Sequence, residues 1–196
     1  INTELAEKLE FLGATGECAE FTVTHKTEKS TWRRIIRFFR QSAGIEVENI
    51  VDWHEKHKLA KAGFNCNVLS RKAVCDTSAG FIERDTHKNT SWQQARFETC
   101  CHKWCDLSET DGGIAVVNDG KYGVGFDKNL ISLSLLRSTI RPDITSDMGA
   151  HDFCYMIVPH AGNAVSAEIN KLAFQYNVPL VKADVECNIP SFEPLY

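Results

Sequence analysis

The sequence is short of the residues and runs that define several large protein classes. Its 196 residues include only 5 prolines, and 43% are hydrophobic against 24% charged. That balance excludes collagen-like, low-complexity and disordered chains. No stretch of 18 apolar residues occurs, so no helix is expected to span a membrane. Lys and Arg number 22 against 26 Asp and Glu, and the net charge of −4 argues against a dedicated nucleic-acid binder. There is no Gly-x-Ser-x-Gly elbow for a serine nucleophile and no Gly-x₄-Gly-Lys-Ser/Thr phosphate cradle. No internal repeat or linker divides the chain, and residues 1–196 are expected to form a single domain. It opens on Ile1 with no charged-then-apolar leader, which leaves a processed chain or a piece of a longer one.

Eight cysteines are present, but none forms a Cys-x₂-Cys pair. Most lie in apolar or alternating runs, where a thiol behaves as a small buried hydrophobe, and they are expected to be free thiols in a cytoplasmic protein. The cluster Cys100-Cys101-His102-Lys103-Trp104-Cys105 invites a metal reading. In one continuous strand over 96–107, however, Cys101 and Cys105 would stand ~13 Å apart, too far to share a zinc ion. Trp53-His54-Glu55-Lys56-His57 is one residue short of the His-Glu-x-x-His zinc motif, so its histidines do not share a helix face, and a polar turn is expected. No metal site is expected in the chain.

Most of the sequence reads as short strands separated by Gly, Asn, Asp and Ser turns, the pattern of a β-sandwich. Strands are expected over 19–26, 31–40, 45–53, 59–69, 96–107, 113–117, 130–136 and 153–159, and a helix over 165–176. Residues 31–40 are in conflict. Trp32, Ile35, Ile36 and Phe39 share a helical face opposite four arginines, which alone suggests a basic amphipathic helix for a membrane surface or a partner. Residues 2–12 fit a helix or a strand.

Two loops hold candidate ligand groups. Thr86-His87-Lys88-Asn89-Thr90-Ser91-Trp92 packs donors and acceptors beside an indole, and an indole stacks well on the apolar face of a sugar ring. Its alternative is a polar loop whose Trp92 packs back on the core. Asn118-Asp119-Gly120-Lys121-Tyr122-Gly123 is expected to be a hairpin turn. Arg137 closes the alternating run Leu130 to Leu136 and stands beside an irregular stretch, where it orients a ligand or enters a surface ion pair.

Longer motifs then line up in order. They are Val51-Asp52-Trp53-His54-Glu55, Glu83-Arg84-Asp85-Thr86-His87-Lys88-Asn89-Thr90-Ser91-Trp92, Ala95-Arg96-Phe97-Glu98, Gly113-Ile114-Ala115-Val116-Val117-Asn118-Asp119-Gly120-Lys121-Tyr122-Gly123 and Leu133-Ser134-Leu135-Leu136-Arg137-Ser138. Over roughly 21–180 the sequence resembles the C-terminal β-sandwich region of glycoside hydrolase family 38 α-mannosidases, departing from it in its cysteines at 100, 101 and 105 and in a shortened tract after Tyr122. The resemblance implies a mainly β fold, an antiparallel β-supersandwich of galactose mutarotase-like type with one or two short helices, and so a strand over 31–40.

It also implies a C-terminal fragment of a retaining α-mannosidase whose nucleophile, acid/base and zinc ligands all lie on an N-terminal barrel outside this sequence. No catalytic residue, metal or cofactor is then expected in the fragment, which would be inactive alone. Its partners would be that barrel and a mannose-containing oligosaccharide, with no nucleic acid and no membrane, and with a homo-oligomer left open. Arg137 is the position most like a family arginine that reaches the sugar site, and His87, Asn89, Trp92, Asn118, Asp119 and Tyr122 are the further substrate-binding candidates. The competing functions are a stand-alone carbohydrate-binding sandwich and a Cys/His zinc-binding interaction domain.

Overall fold

The computed structural model describes residues 8–178. Its elements are β1 (Lys8–Ala14), β2 (Cys18–Lys26), β3 (Thr31–Phe39), β4 (Ile45–Trp53), β5 (Leu59–Asn65), β6 (Lys72–Thr77), β7 (Gly80–Asp85), α1 (Ser91–Ala95), β8 (Thr99–Cys100), β9 (Trp104–Ser108), β10 (Gly112–Asn118), β11 (Gly123–Asp127), β12 (Leu130–Arg137), β13 (Gly149–Ala161) and α2 (Ile169–Asn177). A nine-stranded sheet runs β1-β2-β3-β4-β13-β10-β9-β6-β7, and a four-stranded sheet runs β5-β12-β11-β8. All the strand pairs are antiparallel. Among the described residues, no helix is long and apolar enough to cross a membrane.

Alternation decides how the layers stack. In β4, Val47, Val51 and Trp53 are buried while the residues between them are polar or exposed. In β12, Ile131 and Leu133 are buried between Ser132 and Ser134. These two apolar faces meet in one core with Val116, Val124, Phe153 and Tyr155. On the opposite face of the large sheet, Ile169 and Ala173 of α2 pack over Trp104, Ala115 and Val117. The result is three layers: small sheet, large sheet, helix.

β3 is a strand, against its local helical period. It pairs along its length with β2 and β4, and that pairing supplies what an isolated helix lacks. Arg37 reaches Glu20 on one neighbour at 2.7 Å, and Glu46 and Glu48 on the other at 2.8 and 2.6 Å. Trp32 meets Trp53 and Phe153 edge-on, each at 6.1 Å.

Several expected boundaries shift. The strand from 59 stops at Asn65, and a β6–β7 hairpin that alternation had not suggested follows at 72–85. The run 96–107 is not one strand: the chain leaves the small sheet after β8, turns at 101–103, and enters the large sheet as β9. That turn voids the ~13 Å spacing and brings the Cys101 and Cys105 thiols into contact beside Cys75. Burial pushes the Cys75 thiol up, while the hydrogen bond with Cys101 and burial do the same for Cys105. The segment 118–123 is a turn but not a hairpin, because β10 and β11 belong to different sheets. Residues 8–12 are strand, whereas 2–7 lie outside the described residues. The expected helix at 165 starts at Ile169, behind Glu168 in a left-handed conformation at φ 51°.

Candidate functional site

The outer face of the four-stranded sheet gathers most of the polar candidates. Its floor is nearly free of side chains. Gly125 pairs with Ser132, Ser132 with Gly63, and Gly123 lies against Ser134. A Cβ on Gly125 would stand 3.0 Å from the carbonyl oxygen of Phe97, so glycine there lets the strap 96–98 lie flat on the strands. Such a floor follows from the Gly-x-Gly and Ser-x-Ser spacings, which put all four residues on one face.

Glu98 on that strap reaches across the floor. Its carboxylate pairs with Lys61 Nζ at 2.5 Å and accepts a hydrogen bond from Ser134 Oγ. Burial works to raise its pKa, but the bonds from Lys61 and Ser134 and the charge of Arg137 outweigh it and hold the carboxyl below its usual range. Glu98 therefore stays ionised and tied, which suits a positioning group and not a proton donor.

Arg137 owes its outward direction to a β-bulge. The register of β12 on β5 slips between Ser134 and Leu136, so Leu135 and Leu136 are both buried and the next residue faces solvent. The Arg137 backbone N–H donates to Asp147 Oδ2 at 2.6 Å. Arg137, Tyr122, Lys121, Glu98, Ser134 and Asp147 line a shallow cleft of about 210 Å³.

Asn118 and Asp119 open the turn that carries Lys121 and Tyr122 into this cleft. Asn118 is fully buried, and its Oδ1 accepts from the backbone N–H groups of Gly120 and Lys121 at 3.0 and 2.8 Å. Its Nδ2 points to Cys101 Sγ at 3.8 Å. Asp119 accepts from the Cys154 N–H at 2.7 Å, and burial raises its pKa. Both side chains are spent on shaping the turn. Its product is the placement of Lys121, whose ammonium sits 4.2 Å from the centroid of Phe153 and is pushed down by burial, and of Tyr122, which is 55% exposed.

The other candidate loop folds into α1. Thr90 and Gln93 form a reciprocal capping box, a Thr-x-x-Gln signal present in the sequence. Trp92 does not pack on the core; it is 81% exposed. Asn89 gives its backbone N–H to Gln93 Oε1 at 2.9 Å and lines neither cavity. His87 lines a second, smaller cavity beneath α1, which Glu98 also borders. The face thus brings Arg137 and Tyr122 together around Glu98, sets His87 on the far side of the strap, and leaves Asn89 and Trp92 outside. Glu98, Lys61 and Asp147 had not been singled out. The signal in the sequence for Glu98 was its place at the end of the run Ala95-Arg96-Phe97-Glu98. Among the described residues, no group of three or more His, Cys, Asp or Glu could hold a metal ion.

The family described as "Glycosyl hydrolases family 38 C-terminal domain" matches residues 3–145, which include every residue of this face named above except Asp147. The chain is 44% identical over 137 residues to alpha-mannosidase 2C1 of Mus musculus and 48% identical over 136 residues to alpha-mannosidase G of Dictyostelium discoideum. Those matches take in 70% and 69% of this chain, but only 13% and 12% of the relatives' length. In fold, the chain is similar to an alpha-mannosidase from Enterococcus faecalis V583, with a TM-score of 0.78 at 10% identity over 88% of this chain and 24% of the other. A second Enterococcus faecalis protein of glycosyl hydrolase family 38 aligns over 96% of this chain and 27% of its own, again at TM-score 0.78 and 10% identity. These observations place the chain in glycosyl hydrolase family 38, as a member of its C-terminal domain family.

Proposed function

We propose that this chain is the C-terminal domain of a retaining α-mannosidase that hydrolyses terminal α-mannosides in the cytoplasm. In this reading it supports the catalytic barrel, borders its sugar site and has no activity alone. The observation that carries the proposal is the outer face of the small sheet. A flat Gly/Ser floor there presents Arg137, Tyr122 and the tied Glu98 side by side. Such a surface can hold and orient sugar hydroxyls, since guanidinium and phenol donate while the carboxylate accepts.

It is poorly equipped to cleave a glycoside. A retaining mechanism needs two carboxyl groups ~5–5.5 Å apart, one of them able to give up a proton. Glu98 is held ionised by Lys61 and Ser134 instead. The zinc that the resemblance implies would belong to the barrel; the described residues do not fit it, and no step of this reading passes through it. Ile140 and Ile144, 59% and 69% exposed on the loop after Arg137, suit contact with a further domain. The seven described cysteines are all free, which favours a reducing compartment. The partners in this reading are the barrel and a mannose-containing oligosaccharide.

The exposed Trp92 and Phe97 favour a second reading, a carbohydrate-binding sandwich that works without a barrel. One purified sample separates the possibilities. The isolated chain is expected neither to turn over an aryl α-mannoside with zinc present nor to give calorimetric heat with α-mannobiose. Zinc-dependent turnover would overturn the first reading, and stoichiometric binding would favour the second.

A further inference from the structure

Two residues that line the small cavity beneath α1 carry a polar hydrogen with nowhere to go. Arg84 Nε and His87 Nδ1 are both buried without a hydrogen-bond partner among the described residues, and both residues line this cavity. A buried donor left unpaired gives up its bond to water and gains none in return, so two on one cavity's lining call for an acceptor.

The state of His87 follows from its neighbour. Gln93 Oε1 accepts from the backbone N–H groups of Asn89 and Thr90 at 2.9 and 3.0 Å, which fixes the orientation of the amide. Its Nε2 donates to Asp85 Oδ2 at 2.9 Å and lies 3.3 Å from His87 Nε2. An amide nitrogen only donates, so His87 Nε2 is the acceptor and the ring hydrogen sits on Nδ1. Nδ1 is thus a donor aimed at nothing, as is Arg84 Nε.

The surrounding charge has a sign. The two carboxylates that line the cavity are already matched: Asp85 by Lys72 at 2.6 Å, Glu98 by Lys61 at 2.5 Å. Lys88 is paired with Asp127 at 3.3 Å. Arg84 and Arg96 also line the cavity, and neither enters an ion pair among the described residues. Two guanidinium groups outside any ion pair among the described residues and the unpartnered ring N–H of His87 describe the surroundings of an anion. At about 30 Å³ the enclosed part has room for one water-sized group, hence for a single oxygen of a larger oxyanion.

We propose that this cavity is an anion-binding site, distinct from the Arg137 cleft, in which Arg84 Nε–H and His87 Nδ1–H hold one oxygen of a phosphate group whose remainder sits at the mouth beside Arg96. The proposal stands on this chain's own geometry and does not depend on the mannosidase reading.

The test is a titration of the ¹⁵N-labelled chain followed by the His87 ring nitrogens, with inorganic phosphate, glucose 6-phosphate and glucose as separate arms. Inorganic phosphate should shift His87 Nδ1 saturably, and glucose should not. If glucose 6-phosphate binds at least tenfold tighter than inorganic phosphate, the natural ligand carries its phosphate on a sugar; equal affinity points to the free ion. Arg84→Lys keeps the charge but removes the directed N–H, and should weaken binding at least tenfold. Arg96→Gln, an exposed change that leaves folding alone, should weaken it severalfold. No saturable shift of His87 in the wild-type chain would mean that the cavity holds water only, wild-type affinity in both variants would mean that phosphate binds elsewhere, and either result would overturn the proposal.

Discussion

Strands β4, β13, β10 and β9, with Trp32 and Ile36 of β3, turn their apolar side to the inter-sheet core, whereas β1, β2 and the Phe38 end of β3 show the same alternation with their apolar residues left largely exposed. In the first region Val51, Leu107, Val116 and Phe153 are at most 5% exposed. In the second, Leu9 is 67%, Phe11 60% and Phe38 45% exposed, and all face the same side as Val47 and Val51. Phe11, Phe21 and Phe38 stack in a short ladder, with centroids 5.2 and 5.8 Å apart. On that face Arg34 lies 5.3 Å over the Trp32 ring with its Nε buried and unpartnered. Alternation states which side of a strand is apolar, not where the cover comes from. The covered region can fold on its own burial; the overhang has apolar area whose stabilisation, about 25 cal/mol per Å², is not yet realised.

Stability measurements should split along this line. Leu133 is fully buried between the sheets, and Leu133→Ala should cost about 2–5 kcal/mol in urea unfolding of the isolated chain. Phe11→Ala on the overhang should cost no more than about 1.5 kcal/mol, chiefly its ring contact with Phe21. Equal costs would mean that β1 is as well packed as the centre, and the contrast would fail.

A smaller effect sharpens the same contrast at the outer face of the small sheet. Glu98 has a folded pKa below its usual value. Its contribution to stability is therefore present above the ordinary carboxylate range near ~4.3 and is lost as pH falls through the lowered folded value. Its side chain is 36% exposed, so that contribution stays below about 1 kcal/mol. The stability gap between wild type and Glu98→Gln should accordingly shrink on acidification from pH 7 to pH 3. A gap that is constant with pH would show that the carboxylate charge does not matter to this face.

Much of the architecture was legible because alternation and turn residues are local signals. The run Leu130 to Leu136 announced β12, and β4 and β13 were visible as strands in advance. β3 was not legible from its own residues, since its helical period loses only when Glu20, Glu46 and Glu48 arrive on neighbouring strands to receive Arg37. The arch at 118–123 looked like a hairpin because a change of sheet leaves no mark in the turn itself. α1 was missed although Thr90 and Gln93 already spelled its cap. The candidate site divided in the same way. Arg137 could be picked out by its position at a strand end. The roles of Asn118 and Asp119 as turn builders, and of Glu98 as the centre of the face, depend on contacts 17 to 36 residues away along the chain.

In the proposed function, the outer face of the small sheet borders a mannoside site that this chain does not form alone. Steady-state α-mannosidase kinetics of Arg137→Ala in the full-length polypeptide decides whether it does. The expected result is a fall in kcat/KM of at least about tenfold, equivalent to ~1.4 kcal/mol of transition-state stabilisation, with unfolding of the sandwich unchanged. Wild-type kcat/KM in that variant would contradict it.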